Sequence, residues 1–199
     1  MTEILTLIRD RRSIRRYEAR PVPRETIHQL LTAATWAPSA HNRQPWRFVV
    51  IETDETKRRL AAAMGERLRR DLTADGVPAE AIERDAARSY ARITGAPLLI
   101  LVCLTLADMD IYPDERRQRH ESTMAAQGAA MAGQNLLLAA HALGLGACWL
   151  CAPLFCADAV RETLALPADW QPQGVITAGY PAETKEKARA PLETRVLFR

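Results

Sequence analysis

The sequence predicts an α+β or α/β fold, on three observations. Helix-patterned and strand-patterned segments are interspersed along the chain, helix exceeds strand, and the apolar runs are enough for a sheet of about four or five strands. No repeat, low-complexity tract or Gly/Ser linker offers a place to divide the 199 residues, so residues 1–199 are expected to form one domain. With 48% hydrophobic and 26% charged residues, neither a disordered nor a fibrous chain is indicated.

Each element has its own signature. Ile4, Leu5, Leu7 and Ile8 share one side of a short helix that ends in the arginine run at Arg11. Pro23 suits the first turn of a second helix, whose stripe is Ile27, Leu30, Leu31 and Ala34 and which Pro38 stops. A loop from Pro38 to Pro45 leads into a buried strand at Trp46 to Ile51, after which Thr53 or Asp54 caps a third helix running to about Leu72. The Asp75-Gly76 turn and Pro78 open a fourth helix through Ile82, Ala86, Tyr90 and Ile93. Pro97 to Thr105 is almost wholly apolar, the pattern of a central strand covered on both faces. A helix of roughly 24 residues is expected from His120 to a Gly144 cap. Its Ala125, Ala126, Gly128, Ala129, Ala132 and Gly133 either let another backbone come close or simply make an alanine-rich core helix. Ala147–Cys151 and Gly174–Tyr180 read as two further strands around a short helix at 157–166. From Pro181 onwards only Leu192, Val196, Leu197 and Phe198 can anchor the chain, which leaves a tail either disordered or docked on a partner.

Composition removes several function classes. A net charge of +3 is too small to make nucleic acid or an anionic membrane the main partner. Gln127, Gln134, Asn135 and His141 interrupt the one long apolar segment, so no bilayer span is expected. The first residues lack a basic n-region followed by a long apolar h-region, and the four cysteines fit a reduced, cytoplasmic protein. Cys148 and Cys151 have redox spacing, but a strand sends them to opposite faces and no second pair completes a zinc site, so buried structural thiols are expected. There is no GxGxxG and no Walker-type loop.

Three segments can carry chemistry. Arg11-Arg12-Ser13-Ile14-Arg15-Arg16 gathers four guanidinium groups and a hydroxyl in six residues, enough to hold a phosphate dianion. The same residues also suit a solvated helix end, where cations complement the dipole. Pro38 to Trp46 is a polar loop pinned by two prolines, and its Asn42 and Gln44 amides match both edges of a heteroaromatic ring; an ordinary Asx-type turn fits it equally well. In Gly144-Leu145-Gly146 the glycines leave the backbone free to approach a flat ligand, and helix capping accounts for Gly144 but not for Gly146.

Taken in order, RRSIRRY, APSAHNRQPWRF, QNLLLAAHALGLGACW and the ARAPLE arm resemble the flavin-dependent nitroreductase family over nearly the whole chain. The resemblance implies a mostly antiparallel sheet flanked by helices, an intertwined homodimer, and one FMN per subunit in a groove that both subunits build. It implies that Arg11, Arg12 and Ser13 contact the phosphate and ribityl chain, and that Arg15 stands near flavin N1 and the C2 carbonyl. Pro38, Ser39 and Asn42, with Gln44 beside them, match the loop brought by the second subunit. Leu145 and Gly146 lie where the family offers backbone to the ring, and Arg189 matches the arm arginine that returns to the phosphate. No side chain is assigned as catalytic and no metal is expected.

RRDLTADGVPAEAIERD, IYPDERRQRHESTMAAQGAA and CADAVRETLALPADWQPQG further resemble the C-terminal flavin domain of the bifunctional enzyme that completes the deazaflavin coenzyme in bacteria. The ligase domain of that enzyme is missing here, so its activity is not carried over. On this resemblance Asp71, Arg67 and Arg70 are expected to contact a substrate tail. The implied function is two-electron transfer from reduced FMN to a flat conjugated or heteroaromatic substrate, a dehydro precursor of the deazaflavin coenzyme among the candidates. The alternatives are a broad NAD(P)H-dependent nitro or quinone reductase, with NAD(P)H as electron donor, and a non-catalytic flavin or deazaflavin carrier.

Overall fold

Residues 2–199 are described by a computed structural model built on one four-stranded antiparallel sheet. The strands are β1 (Trp46–Ile51), β2 (Leu98–Leu104), β3 (Gly146–Leu150) and β4 (Gln171–Gly179), in the order β1-β2-β4-β3. Every residue of β2 is buried, because the strand is covered on both sides as its unbroken apolar run predicts. Leu98, Ile100, Val102 and Leu104 face a layer formed by α2 (Arg24–Thr35) and α5 (Glu115–Ala142). Leu99, Leu101 and Cys103 face the opposite layer, formed by α3 (Asp54–Ala74), α4 (Ala79–Thr94) and α6 (Ala157–Thr163).

Three boundaries differ from the sequence expectation. The long helix begins at Glu115 rather than His120, because its first turn is solvated and shows no apolar period. Its start is set instead by Asp114, whose side chain accepts the Arg117 N–H at 2.9 Å. β4 begins at Gln171 rather than Gly174, since Gln171 and Pro172 extend the pairing with Leu104 and Cys103 beyond an irregularity at Val102/Cys103. The short helix is confined to α6, and a 3-10 turn at Ala152–Cys156 leads into it. Gly144 ends α5 as expected: at φ +76° it allows Leu145 N–H to reach Ala140 O at 2.8 Å and its own N–H to reach His141 O at 3.1 Å.

The chain after α1 (Glu3–Asp10) runs along the free edge of β3, with Ser13 bridging Ala147 and Tyr17 bridging Pro181. The Tyr17 hydroxyl meets Thr177 Oγ1 at 2.7 Å, which ties this edge to the sheet. Cys103, Cys148 and Cys156 are buried, and burial pushes the Cys103 thiol up to about 12 and the Cys156 thiol up to about 11. Cys151 corrects the expectation of buried structural thiols at Cys148, Cys151 and Cys156: it lies past the end of β3, is exposed, and its Sγ accepts the Trp149 indole N–H at 3.2 Å. Among the described residues no helix is long and apolar enough to cross a membrane.

Gly133 of α5 and Gly174 of β4 make room for one of this chain's own side chains. A Cβ on Gly133 would stand 2.4 Å from the Trp149 ring, and one on Gly174 of β4 also 2.4 Å, so the indole fills a slot between helix and sheet. A methyl there has no space and must displace a rigid ring. Gly133→Ala and Gly174→Ala are each expected to destabilise the protein by about 1–3 kcal/mol in urea unfolding. Adding Trp149→Leu should make the loss smaller than the sum of the single changes; strict additivity would show that the ring is not the obstacle.

Candidate functional site

The segment after α1 comes to the sheet edge because Gly146 has no side chain. Ile14 N–H donates to Ala147 O at 3.1 Å, and a Cβ on Gly146 would lie 2.7 Å from Ile14 Cγ2. The absent side chain at Gly146 is what admits Ile14. This approach carries the neighbouring arginines with it. Arg11, Arg12, Ser13 and Arg15 line a cleft of 230 Å³ whose far wall is the arm after β4, with Lys185, Glu186, Lys187 and Arg189. Six cationic side chains there face a single carboxylate, in a chain whose net charge is only +3.

The charges are held but not satisfied. Arg11 Nη1, Arg12 Nε and Arg15 Nε are buried without a hydrogen-bond partner. Buried polar atoms are seldom left so, and three guanidinium donors in one cleft match an anion with several oxygens. Burial, then Arg189, then Arg12 lower the pKa of Arg11, so the cleft already opposes its own charge. Arg12 is braced by donating from Nη1 to Arg9 O at 2.6 Å and Arg11 O at 3.0 Å. The arm is fastened by Ala182 N–H to Arg16 O at 3.0 Å, by Arg15 N–H to Glu183 Oε1 at 2.7 Å, and by a Lys185–Glu183 pair at 3.1 Å. Burial works against ionisation of Glu183, yet the Arg15 N–H and Lys185 hold its pKa below the usual range.

An adjoining cleft of 330 Å³ shares Arg12 and Lys185 with the first and runs past His141, Gly144, Leu145 and Gly146. Leu145 and Gly146 therefore stand beside Arg12. Sequence reasoning missed Lys185 and Lys187, although two of the chain's three lysines fall in KEKAR, a signal that was available in an arginine-rich protein. It also missed His141, which nothing in its helical pattern sets apart.

The turn Pro38–Pro45 lies elsewhere. A 3-10 turn at Ala40–Asn42 carries the chain through it, and Ser39 Oγ accepts Gln44 N–H at 3.0 Å. His41, Asn42 and Gln44 have φ of +49°, +54° and +51°, a left-handed backbone that costs non-glycine residues on the order of 1 kcal/mol or more each. Pro38, Asn42 and Gln44 are exposed, and among the described residues neither amide side chain has a hydrogen-bond partner. The turn packs on α5 at Gly128, where a Cβ would be 3.3 Å from Pro45 and 3.4 Å from Ser39. From Gly128 to Gly144 the helix axis advances roughly 24 Å, so one chain keeps the turn and the arginine cleft far apart.

Asp71, Arg67 and Arg70 do not join the cleft either. They lie on α3, in the layer on the other face of the sheet, and are engaged with one another and with α6. Arg67 Nε pairs with Asp71 at 2.9 Å, Arg67 Nη1 with Asp158 at 2.9 Å, and Arg70 approaches Asp71 at 3.6 Å.

This architecture has close counterparts among known proteins. A Thermus thermophilus NADH dehydrogenase is 33% identical over 95% of this chain and 92% of that protein. A Desulfovibrio desulfuricans protein described as a nitroreductase, solved in complex with FMN, is 32% identical with a TM-score of 0.77, covering 100% of this chain and 98% of that one. A BluB-like flavoprotein of Clostridium difficile 630 shares the fold, with a TM-score of 0.82 over the whole of both chains at 23% identity. The Nitroreductase family is matched over residues 8–180, and the chain belongs to that family.

Proposed function

We propose that this protein is an FMN-dependent oxidoreductase that takes two electrons from NAD(P)H and passes them to a flat conjugated acceptor. The observation that carries this reading is the cleft of Arg11, Arg12, Ser13, Arg15 and Arg189, with its three buried guanidinium nitrogens lacking a partner. A terminal phosphate offers several oxygens and two negative charges to those donors. When bound, FMN supplies the hydride chemistry, and the protein positions it, tunes its charge and controls access.

The chain's own residues divide that work. Arg11, Arg12 and Arg189, joined by Lys187, hold the phosphate, and Ser13 takes a remaining phosphate or ribityl oxygen. Arg15, fixed through its backbone bond to Glu183, is a permanent cation at the pole of the ring where negative charge gathers on reduction. Leu145 and Gly146 present backbone to the ring.

The reading includes a homodimer in which Pro38, Ser39, Asn42 and Gln44 of one copy meet the cleft of the other. Three observations support it. Turn and cleft are about 24 Å apart along α5 in one chain. α1 buries none of its residues, leaving Ile4, Leu5 and Ile8 in solvent. The tail likewise exposes Leu192, Leu197 and Phe198. A reduced cytoplasmic setting suits the four free cysteines. As acceptor, a quinone or nitroaromatic compound has more support than a dehydro-deazaflavin, because the residues expected to hold the latter's tail are paired on the other face of the sheet.

The purified protein is expected to be yellow and to sediment at twice the 22.2 kDa of one chain; a monomer that holds FMN would remove the shared site. Arg11→Gln should weaken FMN binding to the apoprotein roughly tenfold, or about 1.4 kcal/mol, in a fluorescence titration, and unchanged affinity would take Arg11 out of the cradle. Arg15→Ala should lower the flavin reduction potential more than it weakens binding, as read by dye-coupled reduction; an unaltered potential refutes its assigned role.

A further inference from the structure

We propose that the connector between β2 and α5 is a clamp on the Pro38–Pro45 turn, with Asp108 and Asp110 as positioning residues that hold it in its left-handed conformation. This rests on the reading that the turn meets FMN. Three of the four non-glycine residues with positive φ among the described residues are His41, Asn42 and Gln44. Asn and His visit that region more readily than other residues, but Gln does not, and three such residues within four positions point to a conformation held from outside the turn.

The imposing contacts converge on one short segment. Arg43 in the turn pairs with Asp110. Arg47, at the start of β1, donates from Nη2 to Asp108 Oδ2 at 2.7 Å and from Nη1 to Trp46 O at 2.9 Å and Gln44 O at 3.3 Å. Pro45 O accepts the Thr105 N–H at 2.9 Å, at the root of the same connector.

The connector is itself fixed, as a clamp must be. Thr105 Oγ1 donates to Asp169 Oδ2 at 2.7 Å and accepts the Ala107 N–H at 3.1 Å. Met109 is buried in the core, and Tyr112 N–H donates to Gln118 Oε1 at 3.0 Å on α5. Half-exposed ion pairs of this kind contribute little to global stability. Their effect falls on the choice between conformations of an exposed turn, and hence on how ready that turn is to receive a ligand.

The test uses the double variant Asp108→Asn with Asp110→Asn, which removes both charges and keeps the shape. FMN affinity is expected to fall about tenfold and the visible band of bound flavin to change, while the apoprotein melts within about 2 °C of the parent. Asp110→Asn alone should give part of the same loss, and the swapped pair Arg43→Asp with Asp110→Arg, made with Asp108 intact, should recover affinity and spectrum. Asn42→Gly, which keeps the left-handed backbone and removes the amide, separates the two claims. If Asn42→Gly weakens FMN binding and the double variant does not, the clamp is wrong and the turn still meets FMN. If neither changes affinity or spectrum, both fall. A double variant whose melting temperature drops in step with its affinity, with no recovery by the charge swap, also overturns the clamp, leaving the pairs a general structural role.

Discussion

The approach of Ile14 to Gly146 governs what the N-terminal segment can do. A strand edge accepts a neighbouring chain only where side chains leave room, and Ile14 occupies the volume that any Cβ at position 146 would need. The Ser13–Ala147 bridge and the Ile14 N–H bond to Ala147 O follow from that contact. Arg11, Arg12 and Arg15, flanking Ile14, then have fixed backbone positions against the arm, although their mutual repulsion would drive them apart on a free chain. The folded state thereby holds an uncompensated set of donors, with Arg11 already below its ordinary pKa through burial first. An anion with several oxygens relieves this tension, which is why the cleft is proposed to hold a phosphate.

The sheet divides the molecule by function. Because adjacent residues of β2 point to opposite faces, one face receives α2 and α5 and the other α3, α4 and α6. Everything proposed to touch FMN lies along α5 or at its ends, with the glycine-closed C-terminus by the arginine cleft and Gly128 under the turn. The opposite layer is laced with ion pairs such as Arg67–Asp158 and Arg69–Glu83, and Arg67, Arg69, Arg70 and Asp158 line a cleft of 670 Å³ there. The turn packed at Gly128, midway along this 28-residue helix, and the cleft beside Gly144 stand roughly 24 Å apart in one chain.

Much of this was legible in the sequence. The central strand at β2, the Gly144 cap and a cap at Thr53 or Asp54 follow from local rules: apolar period, capping chemistry and the conformational freedom of glycine; the α+β class rather than α/β came with the family resemblance. Arg11, Arg12, Ser13 and Arg15 stand out in the sequence as a cluster able to hold an anion, although a solvated helix end fits them too, and Arg189 is singled out only by the family resemblance. The boundary at Glu115 was not legible, since a solvated first turn carries no apolar period and only the Asp114 side chain marks it.

What only the tertiary structure decided are facts of proximity, which no local pattern encodes. Gly146 and Gly133 are glycine because Ile14 and Trp149, distant in sequence, fill the space beside them. Lys185 and Lys187 belong with the arginines because the arm folds back past Tyr180, and Asp71 and Arg67 do not because α3 packs on the other face. The sequence by itself determined which groups can bind an anion or a flat ring; the packing of helices on two sides of one sheet decided which of them share a cleft.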